Sequence, residues 1–100
     1  MEIQQITNSD DSEQAAGFAI FMLRQATDFQ KDTTADELKT YTATGRNKEE
    51  LGRKLIFEVV KELPIGEHNL HFYVEDSAKI DKLVFAGQEL IQLTIQGKWR

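Results

Sequence analysis

The segment from Asp10 to Gln30 constrains this chain most, because its apolar residues cover more of a helix than one neighbour can bury. Ala15, Phe18, Ala19, Met22, Ala26 and Phe29 recur at the three-and-four spacing of one helical face. Ile20, Phe21 and Leu23 widen that face well beyond a narrow stripe. A helix with so broad an apolar surface is either covered on two sides or shared with a second subunit. Its start is marked by Asp10 as N-cap with Glu13 three residues on, a capping box whose acids suit the positive end of the helix dipole. The pattern predicts a helix running to about Gln30. Ahead of it, Met1 to Thr7 reads as a short strand anchored by Ile3 and Ile6.

A second helix has clearer ends. Asn47 caps it, Glu50 completes the box, and Leu51, Leu55, Ile56, Val59, Val60 and Leu63 form one stripe before Pro64 and Gly66 stop it. Between the helices, Lys31 to Asp36 is a polar connection. The threonine-rich run from Glu37 to Thr44 favours a strand, with Gly45 supplying the turn. The alternative is a short helical turn capped by Thr34, with Glu37, ahead of that strand. After the second helix, Leu70, Phe72 and Val74 alternate with His71, Tyr73 and Glu75, the period of a half-buried strand. Asp76 and Ser77 mark a turn. Lys82 to Ala86 and Leu90 to Gln96 then form a hairpin signal around Gly87-Gln88, with Ile91, Leu93 and Ile95 on one face. The order is (β)-α-β-α-β-β-β. Short connections predict an α+β fold, a three- to five-stranded mostly antiparallel sheet with two helices packed on one face. One hundred residues suit a single domain over 1–100.

Composition narrows the chemistry. There is no cysteine, which removes disulfides, thiolate nucleophiles, zinc ribbons and iron–sulfur ligation, and favours a reducing, cytoplasmic setting. The N-terminal residues lack the basic and apolar regions of a signal peptide. The longest uncharged apolar stretch, Ala15 to Leu23, is about half of the roughly 20 residues a spanning helix needs, so no membrane insertion is expected. A net charge of −5 opposes general binding to nucleic acid and reads mainly as solubility. The minority reading is an acidic face that meets a basic partner.

Four clusters invite a chemical reading. His71, Tyr73 and Glu75 share a strand face and could do acid–base work, against the plainer reading of a wet outer face. His68 and His71 point to opposite faces of a strand, so no metal site is expected. Gly45-Arg46-Asn47-Lys48 precedes a helix start, where backbone amides can hold an anion, but it lacks the further glycines of a phosphate loop. Lys98-Trp99-Arg100 offers a tryptophan that can anchor a partner or fold back over the core edge. Serine occurs only at 9, 12 and 77, never in a nucleophile-elbow context.

No catalytic residue, cofactor or metal is therefore expected. The reading that remains is a small acidic, non-enzymatic protein-binding module, an inhibitor or phage-type accessory factor that acts by contact and forms a homodimer. Phe18, Phe21, Met22, Phe29 and Trp99 are the expected partner or self-association surface. The alternative is a small-ligand binder for an anionic or nucleotide-like molecule. Its site would lie at a sheet–helix or dimer interface, with contacts from Arg46, Lys48, Tyr41 and Tyr73.

Overall fold

The computed structural model describes residues 9–31, 37–63 and 70–100, with side chains from Ser12 onward. The strand expected at Met1–Thr7, the Thr34 alternative, the Pro64–Gly66 stop and His68 lie outside the described residues, and Asp10, expected as the N-cap, is already inside the first helix, which is described from Ser9. In chain order the elements are α1 (Ser9–Ala26), β1 (Phe29–Lys31), β2 (Lys39–Gly45), α2 (Lys48–Val60), β3 (Phe72–Phe85) and β4 (Gln88–Trp99). The strands form one mixed sheet in the order β1-β3-β4-β2, with β1 parallel to β3 and the other two pairings antiparallel. The inward residues of β2, β3 and β4 are buried on the side that carries the helices, so this is the expected α+β class with both helices on one face.

The broad apolar face of α1 is shared out between two neighbours. Ala15, Ala16, Ala19 and Leu23 are buried, and α1 packs chiefly on α2, meeting β3 and β4 more lightly. Phe18 is half-buried beneath the Lys48 ammonium, 5.1 Å from its ring centre. Met22 is half-buried against Gly52, where any Cβ would run into the Met22 sulfur. A side chain at Gly52 would have to displace the Met22 thioether from this contact between the two helices. Of the large apolar residues on α1, Phe21 alone among the described side chains stays open, at 54% exposure.

α1 also stops four residues earlier than its apolar spacing predicts. Both the backbone N–H and the hydroxyl of Thr27 donate to the Leu23 carbonyl, at 3.0 and 2.9 Å, closing the last turn. Phe29 then leaves helical geometry to enter β1, opposite Phe72. That pairing joins residues more than forty positions apart, and local periodicity carries no trace of it.

α2 begins as expected. Asn47 Oδ1 accepts the Glu50 N–H at 2.9 Å. The Glu50 carboxylate reaches back to the Arg46 N–H at 2.8 Å and to Arg46 Nε at 3.1 Å, one residue before the cap itself. Leu51, Leu55 and Val59 are buried, Ile56 and Val60 half-buried, and Leu63 lies exposed beyond the helix end.

Ile91, Leu93 and Ile95 of β4 floor the core, flanked on β2 by Gly45, Ala43 and Tyr41. Phe72 is fully buried at its centre, with ring centres of Trp99, Tyr41 and Phe29 at 4.9, 5.6 and 6.4 Å. The turn expected at Asp76-Ser77 is a bulge inside one continuous strand. Val74 pairs with Gly97 and Ala78 with Ile95, so β3 accommodates two extra residues there. The chain reverses at Ala86-Gly87, both with positive φ (53° and 81°), the two-residue hairpin geometry that matches strand twist. At roughly 3.3 Å per residue, the resulting ribbon accounts for most of the 51 Å long axis.

Candidate contact surface

The outer end of the β3–β4 ribbon gathers three exposed large apolar residues, whereas Phe21, Phe57 and Leu63 are the others exposed among the described residues. Leu83, Val84 and Phe85 are 37, 74 and 73% exposed. Leu83 and Phe85 point to one face of the ribbon and Val84 to the other, because neighbours on a strand alternate. Apolar side chains therefore project from both faces and stay exposed, although the first turn of α1 reaches as far as Ile80 and Lys82, where Ser12 and Glu13 line a small hollow with them.

The strand edge is open as well. β1 pairs only with Phe72–Val74, so from Ala78 to Phe85 β3 has β4 on one side and no strand on the other among the described residues. Among the described residues, the backbone groups that face outward there meet no partner strand. Lys79, Asp81 and Lys82 lie on this stretch, and Ile80 is half-buried beside the core.

Where β1 ends and β3 bulges, a cleft of about 220 Å³ opens beside α1. Ile20, Phe29, Val74, Ala78 and Ile95 give it an apolar floor, and Arg24, Lys31, Glu75, Asp76 and Ser77 complete its lining. Its cations are already engaged. Arg24 sits 5.7 Å from the Phe29 ring centre, and Lys31 pairs with Asp76 at 2.7 Å.

The residues singled out from the sequence do not gather at one place. Phe18 and Met22 face α2, Phe29 and Trp99 pack on Phe72, and Phe21 stands alone on the far side of α1. Of the expected ligand contacts, Tyr41 points into the core, and burial pushes its phenol above the usual range, aided by the Glu62 carboxylate. Tyr73 lies on the opposite face of the sheet, with the Arg100 guanidinium 4.6 Å from its ring centre. Arg46 is paired with Glu50 and Lys48 covers Phe18. None of these four side chains lines the cleft beside the bulge.

The polar row on β3 is also divided. His71 Nδ1 lies 2.8 Å from Asp28 Oδ2, and its ring meets Tyr73 edge-on at 6.2 Å. Glu75 opens the bulge and lines the cleft instead. Among the described residues no three histidine, cysteine or acidic side chains group as metal ligands, and no helix is long and apolar enough to cross a membrane. Comparison with protein-family models, curated proteins and solved structures returns no match.

Sequence reasoning placed Leu83, Val84 and Phe85 in a strand without seeing their exposure. Part of the signal was available. Leu83-Val84-Phe85-Ala86 is a continuous apolar run abutting the hairpin turn, but where the helices stop is not written in that run.

Proposed function

We propose that this protein acts by contact with a protein partner, and that the outer end of the β3–β4 hairpin is the contact surface. The observation that carries this reading is the exposure of Leu83, Val84 and Phe85 on both faces of one ribbon end. Burying a side chain of the Val, Leu or Phe kind is worth roughly 1.5–3 kcal/mol, so a partner that covers these three gains a substantial part of its affinity from them. Contiguous apolar surface on a small protein commonly marks an interaction site. The reading is of a non-enzymatic binding module, an inhibitor or phage-type accessory factor among the roles it fits, with self-association as one form of contact.

The small-ligand alternative has less support. The cleft beside the bulge, at about 220 Å³, lies below the roughly 300–1,000 Å³ of typical ligand pockets, and the expected ligand contacts do not converge on it.

The test is affinity capture with the wild-type chain and with a Val84→Ser/Phe85→Ser variant. Proteins held by the wild type and lost by the variant support the contact reading. Equal retention by both removes the hairpin end from it. A thermal-shift screen with nucleotides checks the alternative, since a ligand of the native state raises the melting temperature.

A further inference from the structure

We infer that the open edge of β3 is a seam for a second copy of this chain, the two strands running antiparallel with Ile80 opposite Ile80. This rests on the contact reading above and names its partner. The seam joins two four-stranded sheets edge to edge.

Three observations converge on it. First, the stretch from Ala78 to Phe85 is regular strand with no proline and no further register shift, so a second strand can pair with it regularly, over 78–82 in a register centred on Ile80. Protected edges are usually short, bulged, covered or charged, lysine above all. Here the bulge is confined to the segment between Val74 and Ala78, and the eight residues after it carry charges of both signs, Lys79, Asp81 and Lys82, which a second strand of the right register can neutralise.

Second, the charges of this stretch complement themselves in one register. Directly opposed residues of an antiparallel pair project to the same face, and a one-residue slip would oppose an inward side chain to an outward one. Two identical strands must therefore be centred on a residue. Centring on Lys79, Asp81 or Lys82 sets that charge against its own copy, which is unfavourable for directly opposed residues. Centring on Leu83 sets Asp81 against Phe85 and Lys82 against Val84. Centring on Ile80 sets Lys79 against Asp81 twice over by symmetry, on the outer face, and Ile80 against Ile80 on the inner face.

Third, the same register carries each apolar hairpin end past the other copy's bulge. Val84 is then carried toward the bulged residues 75–77, which line the cleft whose floor is Ile20, Phe29, Val74, Ala78 and Ile95. An exposed valine and a shallow apolar hollow, otherwise unrelated, become neighbours.

The experiment is light scattering of the full chain over a range of micromolar concentrations. It compares wild type, Lys79→Asp, Asp81→Lys and an equal mixture of the two variants. Wild type is expected at twice the 11.5 kDa of the chain. Each single variant opposes like charges at both symmetric positions, and its dimer is expected to dissociate about tenfold more readily. In the mixture, the paired acids of one variant face the paired lysines of the other across the seam, so the dimer returns. Hydrogen exchange of wild type is the second measurement, with amides from 78 to 82 protected more strongly as concentration rises.

A wild-type monomer throughout the range overturns the seam. So does a dimer whose stability neither variant alters, or protection of those amides that is independent of concentration. Protection lost on deleting residues 1–8, with a monomeric mass, would assign the edge to the chain's own N-terminal segment and equally overturn it. A partner captured through Val84 and Phe85 by a monomeric chain would leave the contact reading standing while this inference falls.

Discussion

Along the same two strands, the half that begins at Phe72 and Trp99 is roofed by both helices, and the half that ends at Phe85 and Gln88 is not. In the roofed half, side chains sort cleanly, with Val74, Ile95 and Leu93 inward and Tyr73, Thr94 and Gln92 outward. In the open half the sorting fails, and Leu83, Val84 and Phe85 are apolar on both faces. β propensity is similar in the two halves, so propensity forms the ribbon throughout, while burial decides which part of it stabilises the fold. The difference also teaches where function should be sought. Apolar residues that the fold does not need are the ones available to something else.

The sharpest way to break this comparison is to remove side chains from each half and compare the cost. Phe72→Ala, in the roofed half, takes away the ring around which Trp99, Tyr41 and Phe29 gather. It is expected to destabilise the protein by about 3–5 kcal/mol, read as a fall in the urea midpoint. A loss smaller than about 1 kcal/mol would mean that the roofed half is no more of a core than the open one.

The hairpin turn belongs to the open half but still fixes the register of both. Gly87 sits at a φ of 81°, in the left-handed region. Gly87→Ala is expected to cost about 1–2 kcal/mol, from the backbone alone, since an added Cβ there meets no neighbour within 4 Å. Wild-type stability in this variant would show that the ribbon's outer end frays independently of its inner end.

How much of this was readable beforehand follows the range of the interactions. α2 was legible because its signals are local, with Asn47, Glu50 and the stripe of Leu51, Leu55 and Val59 lying within thirteen residues. The alternation of Ile91, Leu93 and Ile95 was legible for the same reason. β1 was not, because Phe29 continues the helical spacing of α1 and is drawn out of it only by Phe72. The bulge was read as a turn, since Asp76-Ser77 has turn composition, and whether a strand resumes in the same ladder after two extra residues is decided by β4. The breadth of α1's apolar face was legible, and covering on two sides was one of its two expected causes. The seating of Met22 against Gly52 had no recognisable signature. The candidate surface was missed because exposure depends on where the helices stop, which no strand pattern records.

Acid should act on the roofed half through the start of α2, beside Gly45 and Ile91. The Arg46 N–H bonded to Glu50, with the Arg46 side chain second, holds this carboxyl below its ordinary value of 4.5. A lowered folded value means that the unfolded chain binds more protons between the two values. The stabilisation is therefore present above the ordinary value and lost as pH falls through the folded one. Glu50→Gln should flatten this part of the acid-unfolding curve, an effect smaller than either substitution above because the group is exposed. An unchanged curve would show that the α2 cap contributes no pH dependence.

The smallest expected effect on stability is the most informative about function. Val84 and Phe85 have three-quarters of their surface in water, so their removal gives up little burial and opens no cavity. The double replacement Val84→Ser/Phe85→Ser should shift the urea midpoint by no more than about 0.5 kcal/mol equivalent, the range of substitutions away from packed sites. A loss comparable to that of Phe72→Ala would mean that these residues are already covered, and the distinction between the two halves would collapse. If instead the folded chain tolerates the change while a captured partner is lost, the two halves of one ribbon have separate tasks. The roofed half holds the fold, and the open half is held by what it binds.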